Sequence, residues 1–369
     1  MASVIGNVSR TNDRRGFVVG DAAYVSDLPR TLAPEPAVLY YLLRFVLGFR
    51  DLGPTEKTAW ECVFECDGVR ASVAHRKLGV YLYIDKAGVA DRTEARVLAT
   101  QIRMALRRAL EVVNTEYLNA FAEAQLREGN VTVLNQHARL REMVDYFRDR
   151  AMAAYAGEGH VGPARRLFTR ETEGFFNTVA MASAYYSWLE HLLVLALPFV
   201  TSESAEPLDV RAFMKKRWHQ KFAVVLDVGS DRLAARYLDR LRDNADRYRN
   251  PYLHGSVDTH SEAVGFHLPG CGAVSMNLGE RGWTPGLLLY PFDERGFSHA
   301  AKLFDATDRF LRRHRRTRYP MRWAEAGQDV AFDPGSRAEY KEACRSDEDF
   351  DRYVEASALA WERDVNMDW

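Results

Sequence analysis

Cysteine is scarce in this chain: Cys62, Cys66, Cys271 and Cys344 are the four in 369 residues. That is too few for a disulfide scaffold and points to a reducing compartment. No CxxC or HxxxH partner follows Cys62 and Cys66, so no metal centre is expected. In a strand-like run, residues four apart point to one face, and the two read as buried thiols. Long apolar runs are also missing. The greasiest stretches, 38–49 and 185–200, are interrupted by Arg44 and by Glu190 and His191. Neither offers the ~20 apolar residues of a membrane span, and residues 1–21 hold no apolar core of signal-peptide length. The expectation is a soluble, cytoplasmic protein without membrane contact.

Net charge is nearly absent, at −1 from 50 Lys and Arg against 51 Asp and Glu. Bulk attraction to nucleic acid is therefore excluded, and any polyanion site must come from local clustering. There is no GxxxxGK[ST] phosphate loop, no HExxH and no GxSxG, and Gly270-Cys271-Gly272 is an isolated turn rather than a dinucleotide fingerprint. These absences argue against P-loop nucleotide hydrolysis, zinc-protease chemistry and α/β-hydrolase chemistry. No cofactor is implied.

What is present is an ordinary globular composition, 47% hydrophobic and 27% charged, with length for two domains or three small ones. Residues 36–50 carry Leu39, Leu42, Leu43, Val46 and Leu47 at helical spacing behind Pro36. The period then changes to that of strands over 58–85, with Asp67-Gly68 as a hairpin turn. Asp91 and Thr93 can cap a long amphipathic helix, broken near Gly129-Asn130, and 134–155 reads as another. The glycine-rich stretch 157–163 suggests a domain boundary. Beyond it, 168–199 predicts a long, largely buried helix in which Tyr185, Tyr186 and Trp188 pack in the core. Further helices are expected at 207–228 and, with Asp231 as its cap, up to Tyr248. Short strands at 263–268, 272–278 and 287–290 precede a helix at 297–313.

The second helical run ends in Arg249-Asn250-Pro251-Tyr252-Leu253-His254-Gly255. Asn250 is a favoured N-cap and Pro251 a favoured first helical residue, so a new turn should begin there. His254 then sits in a first turn whose positive dipole end favours anions and a neutral imidazole. A guanidinium beside such a histidine suits a phosphate.

This Arg-Asn-x-x-x-His-Gly string behind a helical run resembles the Arg-polar-x3-His motif of the HEPN superfamily, over about a quarter of the chain. The resemblance implies an all-α bundle, usually dimeric, and in many members metal-independent RNA cleavage in toxin–antitoxin or antiviral settings. It implies that Arg249 holds the scissile phosphate and that Asn250 fills the polar slot. His254 would act as acid and base on the ribose 2′-OH or the leaving oxygen, and Glu190, with His191 beside it, would face the motif from the first bundle helix. The strand-like sequence after Ser256 departs from members whose last helix continues, so 297–313 would stand in for it. RNA, a second copy of the chain and an antitoxin or defence-system protein are the implied partners. A non-catalytic HEPN-like interaction module, or a nucleotide-sensing module, is the competing reading.

The densest basic run is Arg312, Arg313, His314, Arg315, Arg316 and Arg318, followed by Arg322, with Tyr319 and Trp323 interleaved. Such runs neutralise phosphates while aromatics stack on bases; they also form where cations gather at a helix C-terminus. The expected architecture is mainly α. An N-terminal α+β module (1–156) precedes a HEPN-like helical bundle with a small β-hairpin insertion (163–320) and a C-terminal extension (321–369).

Overall fold

Asp67 and Gly68 both adopt positive φ, 52° and 78°, the geometry of a two-residue hairpin turn whose twist matches the flanking strands. The turn folds β4 (Thr58–Cys66) onto β5 (Val69–Arg76), and β6 (Gly79–Asp85) continues the antiparallel meander. In this computed structural model the described residues are 6–13, 15–17, 22–32, 35–158, 170–201, 208–250, 264–276, 278–279, 282–283 and 294–367. Among them the sheet has the order β1–β4–β5–β6–β2, where β1 is Val8–Ser9 and β2 is Ala23–Leu28. The short β3 (Arg50–Asp51) also pairs with β4.

One face of this sheet is covered by α1 (Pro36–Tyr41), a π-helical turn at Leu42–Val46, and α2 (Arg92–Val113). Asp91 caps α2 as its sequence predicts, accepting the N–H groups of Thr93 and Glu94. Leu39, Leu42, Leu82, Ile84, Ile102 and Leu106 fill the space between. Cys62 and Cys66 lie in that core, and burial pushes their thiols up to about 12 and about 11. On the other face, Glu61 is buried but satisfied: it accepts from the Phe17 N–H (2.8 Å) and the Ser72 hydroxyl (2.7 Å).

The chain divides into two compact units, Met1–Gln125 with Glu355–Trp369, and Leu126–Val354. This division differs from the boundary read at 156–163. The helix α4 (His137–Tyr155), assigned by sequence to the N-terminal module, packs along α5 (Arg170–Val200) in the second unit. The short α3 (Asn119–Glu128) precedes α4, and its end at Gly129 (φ +75°) is the break that the sequence predicts. The continuous helix expected at 207–228 is two helices, α6 (Val210–Met214) and α7 (Trp218–Leu226). Arg217, in extended backbone, exchanges capping bonds with Gln220. The strand read at 287–290 lies outside the described residues, whereas β7 (Val264–Leu268) and β8 (Gly272–Met276) form the expected hairpin.

Around α5 pack α8 (Arg232–Tyr248), α9 (Glu294–Arg313) and α10 (Arg318–Glu325), followed by α11 (Pro334–Ala343) and α12 (Asp347–Asn366). Asp231 caps α8 as expected. The helix α9 is seated by the Tyr185–Phe304 stack (3.8 Å between centroids) and the Tyr237–Phe310 stack (4.3 Å). The protein is therefore mainly helical with a small antiparallel sheet. No helix among the described residues is long and apolar enough to cross a membrane.

Two histidines in this unit, His137 buried and His191 half-buried, act as acceptors. His137 Nδ1 takes the Trp188 indole N–H (3.2 Å) and His191 Nε2 takes the Gln136 N–H (2.9 Å). Burial holds both imidazoles below their ordinary range. The unfolded chain binds protons at these groups near pH ~6.5 and the folded chain does not, so their contribution is complete above that pH and is lost as pH falls through it. Thermal melts should show declining stability below about pH 6.5. His191→Gln, whose side-chain carbonyl can accept the same bond without titrating, should reduce the slope. An unchanged slope in that variant would assign the acid sensitivity elsewhere.

Candidate active site at the end of helix α8

Arg249 is the C-terminal cap of α8; its N–H still bonds the Ala245 carbonyl at 2.9 Å. Its guanidinium carbon lies 5.7 Å from the ring centroid of Tyr186 on α5. A cation over an aromatic face is held in place without using up its hydrogen-bond donors. The Arg249 Nε–H is in fact buried and has no acceptor among the described residues.

Tyr186 is fully buried and well placed to set that geometry. Its hydroxyl is shared between the Leu241 carbonyl (2.7 Å) and Asn244 Oδ1 (3.0 Å), both on α8. Burial raises its pKa well above the phenolic range, so it stays protonated although Arg249 pulls the other way. The Asn244 side-chain amide is buried beside that hydroxyl. A buried N–H without an acceptor costs about 1–3 kcal/mol, so the Arg249 Nε–H suits an anionic acceptor.

Asn250 donates from Nδ2 to Asp246 Oδ1 at 2.7 Å. The carboxylate one turn back therefore orients the polar residue of the motif. His254, with the rest of 251–255, lies outside the described residues. A second imidazole stands nearby on α7: His219 senses the charges of Arg217 and Arg242 and of Asp246. Burial first, then those two guanidinium groups, hold it below the ordinary histidine range. Its neighbour Trp218 packs on Tyr186, with centroids 5.0 Å apart.

Glu190 lies one helical turn beyond Tyr186, and its carboxylate receives the Lys221 ammonium of α7 at 2.5 Å. Lys221 is only 3% exposed, so Glu190 is the counter-charge of a buried cation. His191 points instead to the start of α4 through its bond with Gln136. Tyr186, Asn244 and His219 were not singled out as site residues by sequence. The available signal was helical spacing: Tyr186 is four residues before Glu190 and so shares its face.

The basic run resolves differently from its linear density. Arg312 pairs with Glu325 (2.9 Å), His314 with Asp231 (3.0 Å) and Arg316 with Asp227 (3.8 Å). Arg318 lies over Tyr319 (4.3 Å to the centroid) and bonds its hydroxyl, and Arg322 pairs with Asp347 and Asp351. Arg313 and Arg315 are exposed and without ion pairs among the described residues. Tyr319 and Trp323 are buried, packing on Phe350 and Tyr353. The expected interleaving of bases with these aromatics is therefore corrected: both rings belong to the core.

These placements separate two kinds of residue. Glu190→Ala leaves a buried ammonium unpaired and should cost about 3 kcal/mol or more in denaturant unfolding. Arg249→Ala removes a side chain whose Nε carries no partner and should cost under about 1 kcal/mol. The reverse order would make Arg249 the structural residue and Glu190 the free one.

No family model, no curated protein and no solved structure matches the chain.

Proposed function

We propose that the chain is a HEPN-type, metal-independent endoribonuclease whose centre is built on Arg249, Asn250 and His254. The observation that carries this reading is the buried Arg249 Nε, which has no acceptor among the described residues, over Tyr186 at the start of the Arg249–His254 string. A phosphodiester oxygen is an acceptor of the right charge for that place. Arg249 holds the scissile phosphate, Asn250 is kept in place by Asp246, and His254 serves the proton transfers. The ribose 2′-oxygen loses its proton and attacks the adjacent phosphorus. The bond to the 5′-oxygen then breaks and that oxygen is protonated. The α4, α5, α8 and α9 helices play the part of the bundle. The family resemblance adds a homodimer with two motifs in one cleft, and an antitoxin or defence protein as partner.

One observation favours the competing class, a non-catalytic HEPN-like interaction or nucleotide-sensing module. Glu190, the acidic residue expected to face the motif, is committed to Lys221.

Purified protein should cleave single-stranded RNA in the presence of a chelator and leave 2′,3′-cyclic phosphate ends. Arg249→Ala and His254→Ala should each lower the rate by about two orders of magnitude, the scale for losing phosphate stabilisation or acid–base catalysis, with melting curves close to wild type. Cleavage that depends on an added divalent ion would sink the mechanism. No cleavage at all, with intact folding, would leave the interaction module standing.

A further inference from the structure

The first unit contains a groove that plays no part in the site above. It runs between the edge strand β2 and the helix α2, with a volume of about 590 Å³, within the roughly 300–1,000 Å³ of small-molecule sites. Among the described residues, Lys86, Arg92, Arg96 and Arg103 line it and no carboxylate does. In a chain whose charges cancel, such a one-signed concavity concentrates anions.

The groove is built by register. Arg92, Arg96, Ala99 and Arg103 follow one another at four, three and four residues, so they form one stripe along α2. Ala95 and Ala99 are buried and small, which leaves the space open above them. Opposite, β2 turns Tyr24 and Ser26 toward the helix side of the sheet. Arg103 crosses the groove to bond the Ser26 hydroxyl, yet its Nε is buried with no acceptor among the described residues. Arg92 and Arg96 are exposed and make no ion pair among the described residues. The Lys86 ammonium lies 5.6 Å from the Tyr24 ring centroid. The stripe from Arg92 to Arg103 spans about 17 Å at ~1.5 Å per residue, enough for a chain of phosphates followed by a nucleoside.

We propose that this groove binds a nucleoside polyphosphate, with Arg92, Arg96 and Arg103 on the phosphates and Tyr24 against the nucleoside. Guanidinium groups suit phosphate oxygens because they offer paired donors in one plane. The unpaired Arg103 Nε is the donor that a phosphate oxygen would complete. This assignment does not depend on the ribonuclease reading, which concerns the other unit.

The test is calorimetric titration of the full-length chain with ATP, GTP, inorganic tripolyphosphate and a short single-stranded RNA, at low and moderate salt. One or both nucleotides should bind in the micromolar range, more tightly than tripolyphosphate, and weaken as salt rises. The double variant Arg92→Glu/Arg96→Glu should lose at least about tenfold in affinity. The neutral Thr100→Trp, which fills the groove from an exposed position, should do the same. Both variants should melt as wild type does. Nucleotide binding that is absent, or indifferent to both variants, overturns the proposal. Tripolyphosphate binding as tightly as ATP and GTP removes the nucleoside from it. Tighter binding of RNA, lost in the same variants, would replace the nucleotide with a nucleic-acid strand.

Discussion

Two neighbouring phenols at the middle of α5 organise the helical unit. Tyr185 and Tyr186 are both fully buried, and a buried hydroxyl without a partner is costly, so each must find an acceptor on a different helix. Tyr185 donates to Asp308 of α9 (2.9 Å), which in turn holds Arg141 of α4 (2.6 Å), and its ring stacks on Phe304. Tyr186 donates to the Leu241 carbonyl of α8, with the Asn244 amide 3.0 Å from its hydroxyl, and packs against Trp218 of α7. Adjacent residues on a helix point about 100° apart. The two hydroxyls therefore fix helices on different sides of α5, and their requirements cannot be met by a slipped or rotated packing.

Burial makes Asp308 part of this constraint rather than an ordinary surface charge. Loss of water raises its pKa, while Arg141 and the Tyr185 hydroxyl act to keep it ionised. Apolar stacking alone would hold α9 with less specificity, since hydrophobic contact is non-directional. The same logic on the other side of α5 places Arg249 over the Tyr186 ring. The arginine is positioned by the ring face and keeps a donor unspent. Glu190 and Lys221, one turn further on, close the gap between α5 and α7 with charge instead.

Charge is used in opposite ways by the two units. In the helical unit most of the densest basic run is neutralised by carboxylates from other segments, Asp227, Asp231, Glu325, Asp347 and Asp351. In the sheet-containing unit, Arg92, Arg96 and Arg103 are spread over a dozen positions, yet they fall on one stripe facing an open strand edge. Density along the chain and density in space are different quantities. A polyanion responds to the second.

Local chemistry was legible in the sequence. The Asp67-Gly68 turn, the Asp91 and Asp231 caps, the break at Gly129 and the apolar face of α2 depend on interactions within a few residues, and the structure has each of them. The buried thiols and the core tyrosines followed from strand and helix periodicity in the same way. The sequence also marked Arg249 as a cation at a helix end. Which groups would meet it was beyond that reach: Tyr186 and Asn244 lie 63 and five positions away, and their convergence depends on how α5 and α8 pack. The pairing of Glu190 with Lys221, the inward turn of Tyr319 and Trp323, and the attachment of α4 to the second unit were decided at the same level. Helix periodicity says that a face is apolar, but it does not name the surface that covers it, and the partners of a buried polar group are chosen only when that surface arrives.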